Sequence, residues 1–194
     1  MSRYQARNRR ADAVRSRAAI LDAALRLLRA DPDASVEAIA AAADVTRQTV
    51  YAHFRSRERL LAAVVEQVTG ETAAAMDAAD PDTGPAAEAL LRVLDAAART
   101  AERYPGLVQA IVTNPVSPRT DREAHAPISE RLIRVIERGR ASGEFDAGLP
   151  AGWLATVTIT LAHAAGEQVA AGLMPPEEAA RAMRTTLLRA LTPP

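Results

Sequence analysis

"VTRQTVYAHFRSRERLL", residues 45–61, decides how this chain is read. Thr46 stands where a helix N-cap belongs, with a hydroxyl able to accept from a free amide of the first turn. Val50 and Phe54 follow at an i, i+4 interval, one above the other on a single face of a short helix. Arg47 and Tyr51 flank that stripe on one side, Thr49 and His53 on the other, and Gln48 lies roughly opposite it. A helix serving only a core would not carry five such side chains outward. Any one of them alone would fit an ordinary solvated face; the combination is more specific.

Working outward, the chain reads as helix nearly throughout. Ile20, Ala24, Leu27 and Leu28 recur at helical spacing and predict a first helix over about residues 13–29, ended by "DPD" at 31–33. Ser35 caps a short second helix with Val36, Ile39, Ala40 and Ala43 inward, and "AADV" breaks it before Thr46. Two short helices joined by a tight turn, the second studded with polar residues, have the layout of a helix-turn-helix. Ser56 caps a fourth helix through "RERLLAAVVEQVTGETAAAMDAA", and "DPDTGP" marks the clearest boundary that follows. Further helices are expected in "PAAEALLRVLDAAARTAERY", "GLVQAIVTN" and "APISERLIRVIERGRASGEF", then after Pro150 and after Pro176, where Glu177 and Glu178 suit a first turn. The expected class is all-α, with about nine helices. "LATVTITL" at 154–161 alternates β-branched residues as a strand would, but it has no partner strand in the sequence and its flanks are alanine-rich, so it is expected to be helical.

Composition narrows the function. The 194 residues include no cysteine, which removes disulfides, zinc ribbons and thiol catalysis. His53, His125 and His163 have no acidic or cysteine companions at ligand spacing, and no nucleophile elbow or glycine-rich phosphate loop is present. The expectation is therefore no enzyme, no cofactor and no metal. Net charge is zero, yet residues 1–60 carry twelve arginines against seven acids, and the remainder is acidic by the same margin. A basic front end on an acidic body points to a polyanionic partner. Residues 147–166 hold no charge, but their threonines, glycines, proline and histidine suit a buried interface helix better than a membrane span. The first residues lack the apolar stretch of a signal peptide, so a cytoplasmic protein without a membrane partner is expected.

The outward face of residues 46–57 suits DNA. Arginine and glutamine can pair bidentately with guanine and adenine edges, and a threonine methyl can touch that of thymine. Tyrosine and histidine suit phosphate oxygens. Arg57 lies in a first helical turn, where free backbone N–H groups already favour an anion.

"ILDAALRLL…SVEAIAAAADVTRQTVYAHFRSRERLLAAV" closely resembles the DNA-binding domain of the tetracycline-repressor (TetR) family of transcriptional regulators, over about residues 15–65. "TVYAHF" followed by "SRERLL" is its most specific part. The resemblance implies that Arg47, Gln48, Thr49, Tyr51 and His53 belong to the recognition helix capped by Thr46. It also implies that Ser35 reaches a phosphate and that Arg57 is the basic residue opening the fourth helix. Two departures stand out. Asp44 occupies the turn where glycine is common, so a left-handed backbone there falls to aspartate, which tolerates it better than most residues. Arg57 replaces a more usual lysine.

The same resemblance implies a DNA-binding domain over 1–55 and a helical effector-binding and dimerisation domain over 56–194. The partners would be a palindromic double-stranded DNA operator, a second copy of the chain and a small-molecule effector that releases a repressor. Ala155, Ala162, Ala165 and Gly166, with Met183, Leu187 and Leu191, are candidates for the dimer seam, about half of them expected to pack inside the subunit instead. Met76, Tyr104, Trp153 and His163 are candidates to line an effector pocket, with ordinary packing as the alternative. A DNA-binding architectural protein without an effector is the competing function, and the long apolar helices after residue 85 count against it.

Overall fold

The computed structural model describes residues 3–104 and 118–193, with side chains from residue 11 to 104 and from 123 onward. Among the described residues there are eight helices and no strand. They are α1 (Arg3–Ala30), α2 (Val36–Ala42), α3 (Arg47–His53), α4 (Arg57–Asp77), α5 (Ala86–Ala101), α6 (Pro118–Ser142), α7 (Ala151–Ala170) and α8 (Pro176–Leu191). The helix expected in "GLVQAIVTN" lies outside the described residues.

Two boundaries differ from expectation. The first helix starts ten residues early, running back through the basic arm to Arg3. Helix α6 begins at Pro118 and carries Pro127 within it, where proline has no N–H to give to the helical ladder. The β-branched run of α7 is helical as expected. Thr156, Thr158 and Thr160 turn their hydroxyls back to the carbonyls of Gly152, Leu154 and Thr156, at 3.0, 2.7 and 3.0 Å. That local bond is available to threonine in a helix and satisfies Thr158, which is buried.

The chain divides into two compact units. The first comprises residues 1–69 and 100–124, the second 70–99 and 125–194. The first unit's core gathers Ile20, Leu28, Ile39, Val50, Phe54, Leu60 and Val64. A cut at residue 55 would strip Leu60 and Val64 from it, so the first turns of α4 belong with the helix-turn-helix. Each such fully buried aliphatic side chain contributes about 1.5–3 kcal/mol relative to exposure.

The second unit packs Met76, Leu90, Val93, Leu132, Ile136, Leu154, Leu187 and Leu191 together. Its "DPDTGP" loop is held by side chains from outside it. Arg92 donates to the carbonyls of Ala79, Asp80 and Thr83, while Arg138 donates to those of Gly84 and Pro81. The Glu144 carboxylate accepts from the Ala87 amide at 3.2 Å, and backbone N–H groups of the first turn of α5 hold its carboxyl below the usual range.

Candidate nucleic-acid interface

Helices α2 and α3 are each only seven residues long, so caps and packing have to hold them. Ser35 Oγ accepts from the Ala38 amide and Thr46 Oγ1 from the Thr49 amide, both at 3.1 Å. Between the helices, Asp44 takes the left-handed conformation (φ 54°), as its place in the turn required. That bend lets the Val45 amide donate to Ala40 O at 3.0 Å and closes the end of α2.

Val50 and Phe54 are then buried, and the rest of α3 faces outward. Thr46, Arg47, Gln48 and Tyr51 are exposed, while Thr49 and His53 are half-buried. The ring of Tyr51 lies under the Arg47 guanidinium, 5.4 Å from its carbon to the ring centroid. Arg47 Nη1 also lies 2.6 Å from the Glu37 carboxylate on α2. Tyr51 first and Glu37 second raise the basicity of Arg47, so this cation keeps its proton throughout. Ser35 is exposed at the start of α2; its oxygen accepts in the cap, and its O–H can still donate to a phosphate.

Arg57 departs from the expected picture of a cation simply presented to DNA. It is half-buried, and its Nη2 donates to Pro32 O at 3.2 Å and Ala34 O at 3.3 Å. The side chain ties the start of α4 to the α1–α2 turn. Sequence spacing carries no sign of this, because the carbonyls lie more than twenty residues away. Glu37 has no sequence signal either. It precedes Arg47 by ten residues, and only the crossing of the two short helices brings their first turns together. Arg17 is a third such case, its guanidinium 5.0 Å over the Phe54 ring.

The remaining candidates scatter. Met76 is sealed in the second core, and Tyr104 packs half-buried against the first. Trp153 is 57% exposed and His163 is exposed as well, because both lie on the face of α7 opposite buried Leu154, Ala155 and Thr158. His163 meets His125 of α6 edge-on at 5.0 Å between centroids. Met76 is thus enclosed in the core, while Trp153 and His163 face outward from α7. A concavity in the second unit is lined instead by Asp77, Pro81, Asp82, Glu130, Arg131 and Arg134. It is charged and open, and Asp77 already accepts from Arg131 and Arg134 there.

Of the seven seam candidates, Ala155, Leu187 and Leu191 are buried in the subunit's own core and are reassigned to it. Ala162 is exposed, and Ala165, Gly166 and Met183 are half-buried.

The sequence pattern of the family described as bacterial regulatory proteins, tetR family, matches residues 20–64. Over 81 residues the chain is 44% identical to the HTH-type transcriptional repressor LfrR of Mycolicibacterium smegmatis (strain ATCC 700084 / mc(2)155). That match covers 42% of this chain and 43% of LfrR, less than half of the curated relative. The fold match runs further. The crystal structure of the TetR-like regulator LfrR from Mycobacterium smegmatis in complex with proflavine superimposes with a TM-score of 0.66 at 31% identity, covering 93% of this chain and 99% of that one. The TetR family transcriptional regulator PfmR from Thermus thermophilus gives 0.63 at 26% identity, covering 90% and 99%. These relatives are regulators of transcription, and with its helix-turn-helix matched in sequence over residues 20–64 and 93% of its length matched in fold, this chain belongs to the tetR family of bacterial transcriptional regulators.

Proposed function

We propose that the chain is a cytoplasmic repressor that binds a palindromic operator as a homodimer and leaves it when a small-molecule effector binds. One observation carries the DNA-binding part: capped α3 buries Val50 and Phe54 while turning Arg47, Gln48 and Tyr51 to solvent. In this reading Arg47 and Gln48 pair with base edges and the Thr49 methyl meets a thymine. Ser35, Thr46, Tyr51, His53 and Arg57 hold phosphates and fix the register. Two copies of α3 would meet half-sites one helical turn or a multiple apart. Among the described residues no helix is long and apolar enough to cross a membrane.

The effector is assigned to the part of the chain beyond the helix-turn-helix, and to the class of small, largely apolar aromatic molecules. The proflavine bound by LfrR, a planar aromatic cation, supports the aromatic character of that class. Release requires the effector to favour the DNA-incompetent state, since equal affinity for both would shift nothing. The accessible small residues of α7, Ala162 foremost, are assigned to the dimer seam.

The test is selection of binding sites from a random duplex pool, followed by titration of proflavine against the enriched sequence. Two inverted half-sites and loss of binding with ligand are expected. Arg47→Ala should cost about 1–3 kcal/mol on the enriched site and little on random DNA. Ala162→Asp should weaken dimer and DNA binding together. A monomer by sedimentation at micromolar concentration, or no enriched sequence, would overturn the reading.

A further inference from the structure

We propose that Glu37 sets the sequence selectivity of the recognition helix by holding Arg47 as an oriented fork without net charge; this rests on the DNA-reading role proposed above for α3. Glu37 sits on α2, and its Oε1 lies 2.6 Å from Arg47 Nη1. Both side chains are more than half exposed, so the pair stands on the outward surface and is not a core ion pair. The guanidinium is fixed from a second direction by the Tyr51 ring beneath it.

An unpartnered arginine on such a surface binds any phosphate it reaches. That attraction arises from counterion release and is blind to sequence. The Glu37 carboxylate cancels the net charge while engaging one terminal nitrogen. The carboxylate is closest to Nη1; Nη2 and Nε, two adjacent donors, match the O6 and N7 acceptors of guanine. Arg47 then gains little from a phosphate and much from a correctly placed base edge. An acid on a DNA-binding face costs affinity everywhere, and in return the contact becomes conditional on sequence.

The experiment uses the full-length chain, the sequence it enriches from a random duplex pool, and a random duplex as competitor. Affinities are measured by fluorescence anisotropy at several salt concentrations. Glu37→Gln should tighten binding to random duplex by about two- to fivefold, the scale of an exposed ion pair. The salt dependence should steepen by about one counterion. The enriched sequence should gain less, so the ratio of operator to random affinity falls. With Arg47→Ala already present, Glu37→Gln should only relieve repulsion on both DNAs alike and leave that ratio unmoved. Glu37→Ser, which also removes the charge at this exposed position, should repeat the result and guards against a folding defect of one variant. An unchanged ratio in both single variants overturns the proposal, as does an equal fall in ratio without Arg47. Failure of the wild-type chain to enrich any sequence overturns the function and this inference together, and is visible before any variant is made.

Discussion

Arg57→Ala separates the two duties this side chain combines. Its Nη2 bonds the carbonyls of Pro32 and Ala34 at 3.2 and 3.3 Å, tying the start of α4 to the α1–α2 turn. A hydrogen bond from a charged donor is worth about 1.5–3 kcal/mol when buried. Here both bonds are long, they share one nitrogen, and carbonyls freed by truncation regain water. The pair together should therefore contribute about 1–2 kcal/mol, enough to change the folded-to-unfolded ratio about five- to thirtyfold. Amide hydrogen exchange of residues 36–42 reads the loss locally, and urea unfolding of the full chain reads it globally. Both should show it without DNA present. Arg57→Lys should restore most of it, because one ammonium can serve two carbonyls that one guanidinium nitrogen serves now. If Arg57→Ala leaves α2 protection and the unfolding midpoint unchanged, the strap carries no energy and Arg57 serves DNA alone.

Gly139→Ala should destabilise the second unit by about 1–3 kcal/mol, because a Cβ there would overlap the ring of buried Phe145; an unchanged thermal midpoint would contradict this packing. Asp77→Asn should lower stability at neutral pH, with the gap to wild type closing in acid. Hydrogen bonds from Arg131, then its charge and Arg134, hold the Asp77 carboxyl below its usual range against the opposing effect of burial. A depressed carboxyl stabilises the fold above the unfolded pKa of about 3.9 and loses that contribution as pH falls through the folded value. With Asp77 partly exposed, unfolding curves should show under about 1 kcal/mol, and a gap that widens in acid would reverse the sign of the coupling. Thr46→Ala should cost about 0.5–2 kcal/mol through the lost α3 cap, with Thr46→Ser retaining it; equal stability of both variants by urea unfolding would deny the cap its role.

Where the sequence was legible, a local rule acted with little competition. The caps at Ser35 and Thr46, the left-handed Asp44 and the inward Val50 and Phe54 are all decided within a few residues, and all stand as expected. Boundaries fared worse where a local signal was only permissive. Pro127 allows a helix start but does not compel one, and the helix continues back to Pro118. The division of the apolar helices was legible least. Leu187 and Leu191 fit a dimer seam as well as a core by pattern alone, since a 3.6-residue period marks an apolar face without naming what covers it. Trp153 shows the converse, a scarce aromatic that invites a pocket reading and lies 57% exposed.

The basic front end is where counting and structure part most clearly. From residue 11 to 60 the chain has eight arginines. Arg15 pairs with Asp12, Arg17 stacks over Phe54, Arg26 reaches Ala42 O, Arg47 meets Glu37 and Arg57 bonds two carbonyls. Five of the eight thus have partners inside the subunit, and none of those partners is adjacent in sequence. A phosphate approaching Arg15 or Arg47 must displace or share a carboxylate that already cancels the arginine's charge, so these two cations release less than a full counterion each. The slope of log affinity against log salt for a dimer on random DNA should therefore fall below one counterion per arginine of the basic segment, by about the two per subunit that are paired with acids. It should steepen when Glu37 is neutralised. A wild-type slope matching the full arginine count would mean that these intramolecular contacts dissolve on DNA, and that composition alone had described the interface correctly.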